Sequence, residues 1–270
     1  MTTTLAAPTV VLRSDAAPAP RAEVTVTPAG DTATVTVLRS DPAGTLTVRG
    51  GYRKPSAGGA TLVIDYEIPF GVPVRYAVVA YNSAGAASPQ SPWSTPATMP
   101  DPVCPWLADS LVPTSAVRIS PTDWSTREHT RESTVLWPVT ADSAVVLANV
   151  RPRPTSVMQL LTYTAAEAAR LQTVLTATTV IYRPPSQWDW PGGYYYLDGV
   201  DETRLSPKVP TDERRLWNMT FVPVIAPPPA LVVTVVTWAV VLGYYNTWAD
   251  LINAKDSWLD VVRNPDPGSP

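Results

Sequence analysis

Residues 155–183, TSVMQLLTYTAAEAARLQTVLTATTVIYR, read as strand, helix, strand. The run from Val157 to Tyr163 is apolar, rich in β-branched and aromatic side chains, and of strand length. Thr164 and Glu167 then have capping-box spacing. In that motif the hydroxyl takes one orphan helix amide and the carboxylate reaches back to the amide of the cap residue. Ala168, Leu171, Val174 and Leu175 fall on one helical face. Residues 178–182, TTVIY, return to β chemistry, and Arg183-Pro184-Pro185 ends the strand. A short helix between two strands cannot bury its apolar face alone. It must lie on a sheet or plug a barrel built by neighbouring segments.

The flanking sequence is written in β rhythm. Residues 1–22 are Thr, Ala and Pro with little pattern, an arm or a first strand. Residues 23–27 and 33–38 alternate apolar and polar, separated by a turn at Pro28-Ala29-Gly30-Asp31. Further short strands are predicted over 45–49, 61–66 and 73–81, with Gly/Pro turns between them, the spacing of a β-sandwich. Residues 98–115 are Pro-rich, which blocks helix and central strand, so they are expected to be a linker whose Trp106, Leu107 and Leu111 dock on a neighbour. Beyond it, strands are predicted at 116–119, 134–139, 143–150, 194–197, 200–205 and 216–225, with a polar loop over 121–133 and a tight turn at Asp198-Gly199. Residues 230–243 form a strand pair or a strand-to-helix element, and 244–262 are helical, with Trp248 and Trp258 anchoring a helix pair.

Composition removes several function classes. Net charge is −3 without a Lys/Arg cluster, which argues against phosphate-backbone binding to nucleic acid. One cysteine, Cys104, cannot form an intramolecular disulfide or a cysteine metal site, and one histidine, His129, cannot supply a zinc triplet. The first residues lack a basic, apolar leader, and the most apolar run, 230–243, is shorter than a bilayer span. Charged residues are only 16% of the chain, against about 25% in average proteins. Phe is scarce (2) while Trp (10) and Tyr (11) are abundant, side chains that bury area yet keep a polar handle and so suit interfaces.

Two resemblances follow from particular residues. The stretch VRYAVVAYNSAG, 74–85, resembles the penultimate strand of fibronectin type III domains, with Tyr76 at the tyrosine-corner position. That resemblance implies a hydroxyl bonded to nearby backbone and a last strand over 88–94. Residues 117–228 resemble the split-barrel domain of distal tail proteins of long-tailed bacteriophages. Trp137-Pro138-Val139 is similar to that family's incoming strand, and 154–164 to the strand that precedes its helix. Leu171, Val174 and Leu175 match the helix core, and Ile181-Tyr182-Arg183-Pro184 the exit. Tyr194-Tyr195-Tyr196 with Gly199-Val200, and 217–223, resemble the last strands. The Trp-rich ending YYNTWADLINAKDSWLDVV gives the whole chain a likeness to minor tail proteins of actinobacteriophages. In the distal-tail family the barrel usually comes first; here the sandwich does.

The expected fold is therefore mainly β. It comprises an arm (1–22), a fibronectin type III-like sandwich (23–97), a linker (98–115), a distal-tail-like split β-barrel with one short helix (116–229), and a C-terminal strand and helical arm (230–270). The resemblance implies a non-enzymatic component of a virion tail tip or baseplate, made in the host cytoplasm. Such a protein assembles as a hexameric or trimeric ring with itself and with tail tube, hub and tape measure proteins. No cofactor, membrane or nucleic-acid partner is expected. His129 lies in a polar loop without a nucleophile elbow elsewhere, and the acids Asp198, Asp201 and Glu202 sit at a turn beside Arg204. Trp188, Trp190, Tyr194 and Tyr195 are the candidate contact residues, together with Trp106, Trp248 and Trp258. They serve a subunit interface or core; the alternative is that their rings stack on pyranose faces of a host cell-wall glycan, as in a carbohydrate-binding module.

Overall fold

The computed structural model describes residues 5–14, 19–28, 30–56, 60–128, 133–136, 145–148, 154–188, 190–206, 208–209, 211–230, 245 and 247–254. The chain divides into two compact units. The first comprises Met1–Pro100, Leu111–Thr114 and Pro227–Pro270, the second Asp101–Ser110 and Ser115–Ala226. The fold is mainly β, with all strand pairs antiparallel and two helices among the described residues.

In the first unit, β1 (Thr9–Arg13), β2 (Arg21–Val26) and β6 (Thr61–Asp65) form a three-stranded sheet in the order β1-β2-β6. The expected arm thus supplies a strand, because its Val10 and Leu12 alternate on one face opposite Val24 and Ala22. β3 (Thr32–Asp41), β4 (Gly44–Thr47), β5 (Lys54–Pro55), β7 (Pro73–Asn82) and β8 (Ala97–Thr98) form the second sheet, in the order β4-β3-β7-β8 with β5 on β3. Val35 and Val37 on β3 and Tyr76, Val78 and Ala80 on β7 share one parity and are buried, and Thr36 and Ala77 are buried at the other parity as well. The alternation of Val, Thr and Tyr places the β-branched side chains on a pleated, half-buried surface that suits them.

A charged group crosses this core. Asp65 closes β6 at the same parity as Thr61 and Val63, so it points inward and is only 1% exposed. Arg39 and Tyr76 are register partners on β3 and β7. Arg39 Nη1 lies 2.8 Å from Asp65 Oδ2, and the Tyr76 hydroxyl donates to the same oxygen at 2.9 Å. The other carboxylate oxygen accepts the Glu67 amide at 2.8 Å. The Tyr76 hydroxyl therefore meets a carboxylate across the sandwich, where the fibronectin resemblance implied backbone. Burial works against the Arg39 cation, but the charge and hydrogen bond of Asp65 outweigh it and hold the guanidinium protonated well beyond its ordinary range.

The segment after β7 is not the regular strand expected over 88–94. Ser88, Ser91 and Ser94, three residues apart, meet Ala80, Val78 and Tyr76, two residues apart. Each serine amide donates to the facing carbonyl, at 2.8 to 2.9 Å. Each hydroxyl accepts the amide of that same residue, at 3.1, 2.9 and 3.0 Å. Each hydroxyl proton then goes to the carbonyl of the following residue, Pro89, Pro92 or Thr95. A hydroxyl has one proton and two lone pairs, enough for both tasks. Pro89 and Pro92 have no N–H to offer, and the serine oxygens and amides do the pairing instead.

The second unit is built on one seven-stranded sheet of order β10-β9-β15-β16-β17-β14-β11. Its members are β9 (Trp106–Asp109), β10 (Val117–Arg118), β11 (Pro121–Glu128), β14 (Thr155–Thr162), β15 (Val180–Arg183), β16 (Gly193–Arg204) and β17 (Arg215–Pro223). A separate hairpin pairs β12 (Ser133–Leu136) with β13 (Val145–Ala148). The path is open at β10 and β11, a half-barrel. Three sequence expectations need correction. Residues 106–109 of the expected linker are a strand, because prolines flank WLAD without interrupting it. Residues 121–128 of the expected polar loop are an edge strand on β14, broken by register shifts, where polar residues are tolerated. Asp198-Gly199 is not a hairpin turn but a bulge inside the continuous β16, with the register against β17 shifting between Leu197 and Val200.

The predicted helix forms as α1 (Ala165–Leu175). The Thr164 hydroxyl accepts the Glu167 amide at 3.2 Å. The returning Glu167 carboxylate takes the amide of Tyr163 at 2.8 Å, one residue before the cap residue itself. Leu171 and Val174 are buried in the core with Leu107, Met158, Leu160, Trp217 and Met219, and Ala168 and Leu175 pack at its border. The helix covers one face of the sheet. On the opposite face, register alignment places Val157, Leu161, Leu216, Val222 and Tyr196, interleaved with the polar Gln159, Asn218 and Thr220.

Candidate interaction site

The aromatic residues singled out in the sequence separate into different environments. Pro184–Gly192 leads from β15 to β16. Its start is fixed by Asp101, whose carboxylate accepts the Ser186 amide at 2.6 Å and the Ser186 hydroxyl at 2.7 Å. Gly192 is required by space: a Cβ there would lie 3.0 Å from Pro184 Cδ and 3.2 Å from the Tyr182 carbonyl. This tight approach folds the loop back onto the end of the sheet and sends Trp190 inward.

Trp190 meets Trp124 of β11 with ring centroids 4.0 Å apart. Trp124 stands edge-on to Tyr182 at 4.8 Å and lies 5.4 Å from Phe221. Tyr195 is edge-on to Phe221 at 5.4 Å and to Tyr182 at 6.3 Å. The edge-on pairs have the separations and tilts that ring quadrupoles favour, each worth about 0.5–1.5 kcal/mol beyond burial, while Trp124 and Trp190 are in closer, tilted contact. Tyr195 is 5% exposed and its hydroxyl donates to the Pro191 carbonyl at 2.7 Å, so it has no face on which a sugar could stack. Trp188 and Tyr194 are partly exposed. Trp106 is half-buried on β9, in register with Arg183 and Arg118, and does not reach this cluster's ring contacts.

Trp124 and Tyr182 were not among the expected contact residues. Their polar atoms, Trp124 Nε1 and Tyr182 Oη, are buried without a hydrogen-bond partner among the described residues. Burial first, and the neighbouring Tyr195 second, push the Tyr182 hydroxyl well above the usual tyrosine range. A lone tryptophan in the polar run PTDWSTRE was the available sign of Trp124, since an apolar ring in an otherwise polar segment needs a place to bury.

The remaining candidates lie elsewhere. Trp248 opens α2 (Trp248–Ala254) and is 61% exposed, while Leu251 is buried. Thr247 and Asp250 cap this helix reciprocally, amide to carboxylate at 3.0 Å and amide to hydroxyl at 3.2 Å. Trp258 and His129 lie outside the described residues. Glu202 pairs with Arg215 at 3.1 Å, and Asp198 and Asp201 are exposed. No group of three or more His, Cys, Asp or Glu side chains that could hold a metal occurs among the described residues. No helix among them is long and apolar enough to cross a membrane. No protein-family model matches the chain, and no curated protein matches it.

Proposed function

We propose that the chain is a structural subunit of a bacteriophage tail tip or baseplate that works through subunit contacts. It would join a hexameric or trimeric ring, next to tail tube, hub and tape measure proteins, in the virion. The observation that carries the reading is the asymmetry of the seven-stranded sheet. One face is closed by α1, and the other is left uncovered among the described residues, with Val157, Leu161, Leu216, Val222 and Tyr196 set among the polar Gln159, Asn218 and Thr220 and with Tyr196 42% exposed. A ring of copies buries such faces. The likeness of the strand–helix–strand segment to distal tail proteins supports the same reading, as does the low charge density of the chain.

Light scattering across a concentration series tests it. A stable trimer or hexamer supports a ring subunit, and Val157→Lys with Tyr196→Lys reduces it to smaller species. A strict monomer at every concentration, and absence of the chain from purified particles, overturn the proposal. The glycan reading rests on Trp188 of the loop and Tyr194 of β16, both partly exposed, because Trp190, of the same intermediate burial, is packed against Trp124. Binding to a cell-wall glycan that disappears in Trp188→Ala would favour it over assembly.

A further inference from the structure

The turn before β5 holds a segment that no function so far uses. Arg49 is buried, and its Nε bonds Glu67 Oε1 at 2.5 Å. The rest of the guanidinium faces three consecutive prolines of the first unit. Arg49 Nη2 donates to the Pro227 carbonyl at 3.1 Å and Nη1 to the Pro228 carbonyl at 3.4 Å. The next amide, Gly50, donates to the Pro229 carbonyl at 3.4 Å. Gly50 has φ of +73°, a left-handed conformation that glycine adopts without cost and that turns its N–H toward the prolines.

We propose that Arg49, Gly50 and Glu67 form a recognition site for a proline-rich segment, filled by the chain's own Pro227–Pro229. The ligand chemistry is specific. Three successive prolines have no N–H, favour the extended polyproline conformation, and leave every carbonyl free for an outside donor. The site supplies one donor per carbonyl. Glu67, bonded to Nε, fixes the planar guanidinium so that two donors point the same way, which a lysine cannot reproduce. The three prolines are pre-ordered before they dock, so little chain entropy is lost on binding. The site thereby fixes where the chain re-enters the first unit at Pro227.

Hydrogen exchange of the intact chain tests the site, read at the Gly50 amide with the Val78 amide as the fold control. Arg49→Lys and the triple change Pro227→Ser, Pro228→Ser, Pro229→Ser are each expected to speed Gly50 exchange at least tenfold and to leave Val78 unchanged. Pro228→Ser alone, a milder change, is expected to give a smaller acceleration of the same sign. Adding the peptide APPPAL to the triple variant is expected to slow Gly50 exchange again, and not to do so when Arg49→Lys is also present. Gly50 exchange that stays at the wild-type rate in the triple variant, with Val78 protected, overturns the proposal. Slowing by the peptide regardless of Arg49 overturns the role given to the guanidinium.

Discussion

Removing the Asp65 carboxylate is the most demanding test of how the first unit is held. Asp65→Ala leaves Arg39 buried at 6% exposure and takes the partner from the Tyr76 hydroxyl. Deleting one member of a buried ion pair costs about 3–5 kcal/mol, most of it the stranded charge. Asp41 Oδ2 stands 3.5 Å from Arg39 Nε, near enough to share the charge but without hydrogen-bond geometry, and this moves the expectation to the lower end, about 3 kcal/mol. Against a typical domain stability of about 5–15 kcal/mol the unit stays folded but is markedly weaker. Exchange of the Val78 and Ala80 amides on β7 should accelerate by about two orders of magnitude wherever it proceeds through unfolding of the unit. Tyr76→Phe removes one charge-assisted bond while the ion pair persists, a loss of about 1.5–3 kcal/mol. The double variant should lose little more than Asp65→Ala alone, because the two changes remove the same bond. A loss below about 1 kcal/mol for Asp65→Ala, or strict additivity in the double variant, would refute the reasoning.

Other consequences are smaller and separable. Ser91→Ala strips the acceptor from the buried Val78 amide and should cost about 1–3 kcal/mol, visible as faster exchange at Val78 before Ala80. Thr164→Ala should cost about 0.5–2 kcal/mol in the second unit through loss of the Glu167 amide's acceptor, measured by denaturant unfolding. Tyr182 titrates above free tyrosine in the folded state, so the unfolded chain gives up its proton first as pH rises. The stability this group contributes is complete below about pH 10 and declines above it. Phenolate absorbance should show one tyrosine titrating later than the rest, and Tyr182→Phe should remove that late step.

The legible parts of the fold are the local ones. The strand–helix–strand segment needs only its own periodicity and Thr164-x-x-Glu167 to be read, and it forms nearly where expected. Tyr76 alternates with Val74 and Val78, but its partner is not legible locally, because the hydroxyl bonds a residue on another sheet. Asp65 carries its own sign: in TLVID it sits at the inward parity of Thr61 and Val63, where an acid demands a buried cation. β11 was hidden because edge strands keep charge on their exposed side and lose the alternation that marks a strand. Asp198-Gly199 has the chemistry of a hairpin turn, and only the unbroken partner β17 makes it a bulge. Of the candidate site, the loop from Trp188 to Tyr195 was visible as an aromatic cluster. Its division into the inward Trp190 and Tyr195 and the partly exposed Trp188 and Tyr194 depends on Trp124, contributed from more than sixty positions earlier in the chain.

The serine run beside β7 decides whether that margin of the sandwich can be extended by another strand. A bare sheet edge invites another chain to extend it, since each free amide and carbonyl is an open valence. Here the outermost segment spends its hydroxyl protons on the Pro89, Pro92 and Thr95 carbonyls, and two of its residues lack an N–H altogether. Sliding it by one residue would set Pro89 and Pro92 at the pairing positions in one direction and Ala87, Gln90 and Trp93 in the other, so the joint amide and hydroxyl pairing exists in a single register. That margin is closed to strand-by-strand growth. The seam along Ser88–Ser94 is thus a finished boundary of the sandwich and not an edge that another strand extends.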